Sequence, residues 1–303
     1  MFRKLKRYWR DPYHEIGYDM LWRHPNWMPD KWYLKSYFKR TFGYELDLKH
    51  PKTFNEKLQW LKLYNRDPLY TTMVDKYRVK QWVADKIGEQ YVIPTLAVYN
   101  SVNEIDLDKL PDQFVIKCNH DSGSVLICRD KSTFDVRFAQ QSLGKALGKN
   151  YYWDAREWPY KNVSRCILAE KYMGDENGEL KDYKFFCFNG EVQALFIASD
   201  RNNVNEETKF DFFDAEFTHL PFTNGHPNAV VLPTKPNRFE EMKLLASKLS
   251  GGIPQVRIDF YEVEDCVYFG EATFFHWGGF TAFFPKEWDR IFGDWIKLPT
   301  NGQ

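Results

Sequence analysis

Arg257, Asp259, Glu271 and Thr273 lie in the stretch Q-V-R-I-D-F-Y-E-V-E-D-C-V-Y-F-G-E-A-T, residues 255–273, which reads as two strands joined by a short acidic turn. Side chains alternate along a strand, so Arg257 and Asp259 share one face of the first strand. Glu271 and Thr273 share one face of the second. In a hairpin these faces coincide, and two carboxylates, a guanidinium and a hydroxyl converge. Hard Mg²⁺ takes carboxylate oxygens of this kind and completes its shell with waters and nucleotide phosphates. A guanidinium beside it meets the negative charge that develops in phosphoryl transfer. The alternative is a cross-strand salt bridge on a solvated face. Val256, Ile258, Phe260, Tyr268 and Phe269 weigh against that, because they make the opposite face apolar. Charge on strands this apolar is costly unless it is paired or bound to something.

Other elements must position this patch. Residues 114–118, F-V-I-K-C, read as a buried strand ending near Lys117, followed by the polar loop N-H-D-S-G-S at 119–124 and a return strand at 125–128. Backbone N–H groups of such a flap can cover phosphates, although loops of this composition also serve as ordinary turns. Residues 166–172 form another strand with Glu170 and Lys171 at its end, and 174–178 an acidic turn. Residues 182–189 and 192–199 pair through Asn189-Gly190, a hairpin signal. Shorter strands follow at 209–213 and 217–220. Thr53 and Glu56 make a capping box at the head of a helix reaching residue 64, which turns Leu58, Trp60 and Leu61 inward. Further helices are expected at 73–87, 134–147, 239–249 (closed by Gly251-Gly252) and 287–296. Prolines at 12, 25 and 29 suggest short helices and turns over residues 11–50. Mixed rather than alternating elements predict an α+β fold with mainly antiparallel sheets.

Lys+Arg and Asp+Glu both number 42, so no global field draws the chain to nucleic acid. Cys118, Cys128, Cys166, Cys187 and Cys266 lack C-x-x-C spacing and each sits in an apolar run. They read as buried free thiols in a reducing compartment, and a zinc site is not expected. No apolar run approaches the roughly 20 residues that span a bilayer, and no apolar segment follows the basic N-terminus, so a cytoplasmic protein is expected. The first ten residues carry five basic side chains and no acid. They suit either peripheral contact with anionic lipid at the inner face of the membrane or a solvated basic end.

Several ordered motifs together resemble the TupA-like branch of the ATP-grasp superfamily, named for teichuronopeptide synthesis. They are K-T-F-N-E-K-L-Q-W at 52–60, F-V-I-K-C-N-H-D-S-G-S at 114–124, R-E-W-P-Y-K at 156–161, I-L-A-E-K-Y-M at 167–173, D-Y-K-F-F-C-F-N-G at 182–190, R-I-D-F-Y at 257–261 and F-G-E-A-T-F at 269–274. The resemblance implies an ATP-grasp fold, with two α+β subdomains clasping ATP and a helical N-terminal extension. The boundaries would be 1–50 for the extension, 51–165 for the first subdomain and 166–303 for the second. It implies that Lys117 contacts the α- and β-phosphates and that His120, Ser122, Gly123 and Ser124 close over them. Glu170, Lys171, Tyr172 and Met173 match the hinge that reads adenine. Asp182 and Lys184 would lie near ribose or phosphate. Arg257 would stabilise the transferring phosphoryl group, while Asp259 and Glu271 hold Mg²⁺. Thr273 stands where many such enzymes carry an Asn ligand, and Asp121 puts an anion into the phosphate loop.

The implied reaction is ATP-dependent ligation of a carboxylate to an amine through an acyl-phosphate. Positioning and electrostatics carry such a reaction, so no nucleophilic side chain is required. The family's setting points to a uronic acid or other acidic sugar as acceptor and an amino acid or small amine as donor, in bacterial surface polysaccharide assembly. Asp200, Arg201, the turn Thr223-Asn224-Gly225-His226, Trp277 (as a stacking surface for a sugar ring) and His276 (as proton acceptor) are candidate substrate contacts. A kinase of a sugar hydroxyl and a non-catalytic nucleotide-binding subunit are the competing readings.

Overall fold

The structure is a computed structural model, and it describes residues 27–174, 180–199 and 207–299. The basic first ten residues, Asp200, Arg201 and most of the acidic turn at 174–178 lie outside the described residues. The chain divides into two units, one up to Leu46 and one from Asp47. In the first unit, helix α1 (Asp30–Phe42) is continuous where short helices and turns were expected. It ends at Gly43, a left-handed cap whose N–H donates to Lys39. No helix among the described residues is long and apolar enough to cross a membrane.

The second unit is α+β, and every strand pair in its sheets is antiparallel. Helices α2 (Phe54–Tyr64), α3 (Leu69–Val74) and α4 (Val79–Ile87) lead in. The single helix expected at 73–87 is interrupted because the Asp75 carboxylate accepts the Tyr77 and Arg78 N–H groups, ending one helix and starting the next. Strands β1 (Thr95–Tyr99), β2 (Phe114–Cys118), β3 (Leu126–Cys128) and β4 (Ile167–Lys171) form a sheet in the order β1-β4-β2-β3. β4 therefore belongs inside this smaller sheet, across the expected boundary at 165/166. Helix α5 (Val136–Leu147) packs Leu143 onto Phe114, Ile116 and Cys118. Short helix α6 (Tyr152–Ala155) follows.

Strands β5 (Asp182–Phe188), β6 (Glu191–Ser199), β7 (Lys209–Asp214), β8 (His219–Leu220), β10 (Val256–Val263) and β11 (Cys266–Thr273) form the larger sheet, ordered β11-β10-β5-β6-β7-β8. Residues 217 and 218 stay outside β8. β9 (Thr223–Asn224) pairs with β12 (Phe283–Phe284). Alternation on β5 sends Phe185 towards helix α7 (Phe239–Ser250) and Phe186 and Phe188 towards α2 and helix α8 (Glu287–Trp295). Burying one Phe side chain contributes about 2 kcal/mol. This aromatic layer offsets the cost of the charges that continue along the same face at Lys184 and Asp182. Four of the cysteines are buried, but Cys266, at the hairpin tip after Glu264-Asp265, is exposed.

A β-bulge sets the site. Asp259 pairs with Glu271, yet Phe260 pairs with Phe269, leaving Gly270 as the extra residue. The bulge turns Phe269 into the core with Phe260, while Tyr268, opposite Tyr261, falls on the face of Asp259 rather than on the apolar one expected for it. A Cβ at Gly270 would lie 3.0 Å from the Tyr261 ring and 3.2 Å from the Asp259 carbonyl oxygen. Gly270→Ala is therefore expected to cost about 1–2 kcal/mol by overpacking and to lower Tm by about 3–5 °C. An unchanged thermal unfolding curve would show that the bulge has room.

Candidate active site

Glu271, Asp259, Lys184 and Phe196 form one row across β11, β10, β5 and β6, and Thr273, Arg257 and Phe186 form the adjacent row. Two carboxylates thus stand directly opposite each other, an arrangement that repels unless a cation intervenes. Arg257 intervenes. Its Nε and Nη2 each donate at 2.7 Å to the two oxygens of the fully buried Asp259. Nη2 also reaches Glu271 Oε1 at 3.3 Å and Thr273 Oγ1 at 3.0 Å. Lys184 ion-pairs with Asp259 and lies 3.4 Å from Asp182. The Phe196 ring lies 5.5 Å from the guanidinium carbon of Arg257.

The fourth partner of Arg257 is His276, whose Nδ1 accepts from Nη1 at 2.8 Å. Arginine has no acceptor, so this contact fixes the imidazole as the Nε2–H tautomer. Nε2 donates to Asn224 Oδ1 at 3.0 Å, and the Asn224 amide in turn donates to the Thr281 and Ala282 carbonyls. Burial, with Arg257 and Lys184 nearby, holds His276 well below the usual histidine range. Both ring nitrogens are engaged, so the structure corrects the proton-accepting role expected for His276: it positions Arg257. Trp277 is 44% exposed and takes a left-handed backbone (φ 51°), uncommon for a bulky side chain. Its ring lies near Phe210 and His226.

The smaller sheet contributes Lys117, and the helices that lead into it contribute Lys80 on α4 and Lys76. Lys117 and Lys80 pair with the two oxygens of Glu170 at 2.5 and 2.6 Å. Burial alone would push Glu170 up, but Lys117 and Lys80 hold it below the ordinary carboxylate range. Lys76, from the break between α3 and α4, donates to the Asp121 carbonyl at 2.5 Å and lies 3.8 Å from Glu271 Oε2. It links the flap loop to the carboxylate strand. Burial likewise pushes Glu271 up, yet Lys76, Lys184, Arg257 and Lys117 together pull it down to about 2. Lys76 and Lys80 carry no sequence signal, since both fall where a single amphipathic helix was expected.

The flap loop departs from the expected pattern at two positions. His120 is buried, with Nε2 3.2 Å from the Lys149 carbonyl. Ser124 is buried as well: its hydroxyl accepts from the Cys118 N–H and donates to Asp121 Oδ1. These two residues hold the loop rather than line its outer surface, and Asp121 is turned inward to brace it. Ser122 and Gly123 form the exposed tip. At the expected hinge, Lys171 is exposed, Tyr172 half-buried, and Met173 packs with Ile93 and Val263.

For a metal, the donor set is chemically apt. Asp259, Glu271 and Thr273 offer only oxygens, and Glu271, whose side chain is 37% exposed, makes no contact shorter than 3.3 Å with either cation partner. Asp259 shares its oxygens with Arg257 and Lys184, and the Thr273 hydroxyl accepts from Arg257. No group of three or more His, Cys, Asp or Glu with metal-holding geometry occurs among the described residues. Mg²⁺ uses one or two carboxylates and takes the rest of its shell from water and phosphate.

Two antiparallel sheets, one carrying Lys117 and the other the opposed carboxylates, are the frame of an ATP-grasp fold here. The description "TupA-like ATPgrasp" matches residues 56–297, and the chain belongs to that family. Membership agrees with ATP and Mg²⁺ as the groups the site takes. No curated protein matches the sequence. Among solved structures, the D-alanine–D-alanine ligase of Bacillus anthracis complexed with ATP is 13% identical, over 67% of this chain and 53% of that one, with a TM-score of 0.39. The Helicobacter pylori D-alanine–D-alanine ligase is 15% identical over 74% and 62%, with a TM-score of 0.42. N5-carboxyaminoimidazole synthase of Aspergillus clavatus, in complex with ADP and 5-aminoimidazole ribonucleotide, is 14% identical over 68% and 45%, with a TM-score of 0.39. The chain thus spans between 45% and 62% of the length of these three proteins.

Proposed function

We propose that the protein is an ATP- and Mg²⁺-dependent carboxylate–amine ligase. It joins an amino acid or small amine to a uronic acid or other acidic sugar in bacterial surface polysaccharide synthesis. The observation that carries this reading is the directly opposed pair Asp259 and Glu271, bridged by Arg257 and approached from the break between α3 and α4 by Lys76. A triphosphate and a substrate carboxylate repel each other, and unit charges about 4 Å apart cost about 4 kcal/mol at an effective dielectric near 20. Lys117, Lys76 and Arg257 offset that repulsion. Glu271 and Asp259 would hold the Mg²⁺, which supplies charge neutralisation between the phosphates. Arg257, fixed by Asp259 and His276, is pre-aimed at charge that develops during transfer. The hinge residues 170–173 support adenine binding, with Val115 and the exposed Ile127 giving an apolar floor beside Lys117. The exposed Trp277 ring supports a sugar acceptor.

The test is a screen of uronic acids against amines, read by ADP release. Release that requires both partners, together with an amide product, is expected. A phosphosugar product without an amine requirement makes the protein a kinase instead. Failure to bind ATP in a Mg²⁺-dependent way makes it a non-catalytic subunit.

A further inference from the structure

The turn Thr223-Asn224-Gly225-His226 touches two different parts of the site. Asn224 is buried, and its Oδ1 accepts from His276 Nε2 at 3.0 Å, while His276 Nδ1 accepts from Arg257 at 2.8 Å. Gly225 takes a left-handed backbone (φ 85°), and Asn224 bridges to His226 around it. A Cβ at Gly225 would lie 2.8 Å from Trp277 Nε1 and 3.0 Å from its Cε2 and Cζ2. The indole therefore takes the space that a side chain at 225 would fill. Phe210 flanks it at 6.1 Å and 26°, and His226 at 5.9 Å. The backbone that carries the indole is fixed as well. Trp277, Gly278 and Gly279 are all left-handed, at φ 51°, 61° and 66°. Lys62 donates to the Gly278 carbonyl at 2.6 Å, and Gln59 to the Gly279 carbonyl at 2.8 Å. Such conformations persist where the surroundings over-determine them, and they cluster at functional sites. Held in this way, Trp277 is still 44% exposed.

We propose that Gly225 is a positioning residue for the acceptor: it seats Trp277 as the platform on which a pyranose ring stacks, beside the group that holds Arg257. This rests on the ligase reading and gives its acceptor a subsite. An indole that is part buried and part in water suits a ligand with one apolar face and a polar edge. A pyranose is such a ligand, with C–H groups on its faces and hydroxyls around its rim. The Glu207 carboxylate, 3.8 Å from His226 Nδ1, puts hydrogen-bond acceptors for hydroxyls near the platform. Trp277 directly follows His276, and their rings lie 5.9 Å apart. A sugar on the indole is thus one residue from the imidazole that fixes Arg257. Seating the ring before the sugar arrives lowers the ordering cost of binding. The turn therefore acts in two directions. Asn224 works through His276 on Arg257, and Gly225 works through Trp277 on the acceptor.

Two measurements on the full chain test this. Saturation-transfer NMR reads the binding of D-glucuronate, with D-glucose as the uncharged probe. In the wild type, saturation should reach the ring C–H protons of the sugar. Trp277→Ala should weaken glucuronate binding by about tenfold or more, Gly225→Ala by about fivefold or more, and Trp277→Phe by less than about threefold. Affinity for ATP with Mg²⁺ should change less than about twofold in all three. Glucuronate binding that survives Trp277→Ala overturns the platform, as does a wild type that binds neither sugar. Equal losses of sugar and nucleotide affinity in Trp277→Ala would leave it only a structural role. The second measurement is ADP release with ATP, Mg²⁺, glycine and varied D-glucuronate. Gly225→Ala should raise KM for glucuronate about fivefold and keep kcat within about threefold, because it removes binding common to the ground and transition states. Asn224→Ala should lower kcat about 30-fold or more and keep KM within about threefold, because it releases the imidazole that fixes Arg257. A loss confined to kcat in Gly225→Ala overturns the assignment. Trp277-dependent binding of D-glucose alone, or of glucuronate without glycine-dependent ADP release, keeps the platform and overturns the uronate-ligase reading instead.

Discussion

Arg257→Met is expected to abolish ADP formation, by about 10³-fold or more, and to destabilise the fold by about 3–5 kcal/mol. The second effect is as informative as the first. Asp259 is fully buried and receives two of its contacts from the Arg257 fork. Without the fork, Asp259 and Glu271 face each other across β10 and β11 with only Lys184 and the more distant Lys76 to separate them. His276 would also be left with a buried acceptor and no donor. A loss of this size corresponds to a Tm lower by about 10 °C. Arg257→Lys keeps the charge but cannot reproduce a planar fork that reaches Asp259, Thr273 and His276 at once, so it should recover part of the stability and little activity. The double variant Arg257→Met, Asp259→Leu removes both members of the buried pair. It should regain stability relative to Arg257→Met and regain no activity. A single Arg257→Met variant with an unchanged Tm and undiminished ADP formation would show that the charge cluster is incidental.

How much of this is legible in the sequence depends on how local the cause is. The shared face of Arg257 and Asp259 follows from a period of two, and the capping box at Thr53 and Glu56 from a spacing of three. Tyr268 fails because one extra residue, Gly270, shifts the alternation, and a glycine in a strand does not by itself announce which way the parity moves. Lys76 fails because hydrophobic periodicity runs straight through the break that Asp75 makes. His120 fails because a loop of polar residues reads as solvent-facing, while its burial is decided by the carbonyl of Lys149, 29 residues away. The motif at 52–60 was legible as part of a helix. Its purpose was not, since Asn55 binds Asp289 and Gln59 binds Gly279 across more than 200 residues. Long-range hydrogen bonds of this kind leave no trace in spacing.

Glu271→Gln is expected to reduce ADP production by about 10³-fold while leaving the fold intact. Glutamine keeps the shape and an oxygen that Arg257 can donate to, but it removes the negative charge on which Lys76, Lys184, Arg257 and Lys117 converge. That charge is the part of the site best placed to meet a hard cation, because it is the least buried of the paired carboxylates. The Mg²⁺-dependent part of ATP binding should therefore weaken in the variant and the Mg²⁺-independent part persist, as a titration with and without chelator would reveal. The pH dependence separates the electrostatic from the structural contribution. A carboxylate whose folded value is depressed contributes stability that is present above its unfolded value, near 4.3, and is lost as pH falls through the folded value of about 2. Wild type and Glu271→Gln should accordingly differ by a constant amount above about pH 5. They should converge between about pH 4 and 2 as Glu271 takes up its proton. Solvent reaches Glu271, so the constant offset should be small, and the thermal midpoint at pH 7 should move by less than about 3 °C. Full turnover in Glu271→Gln would remove Glu271 from the metal-binding set and leave Asp259 as the carboxylate to be tested.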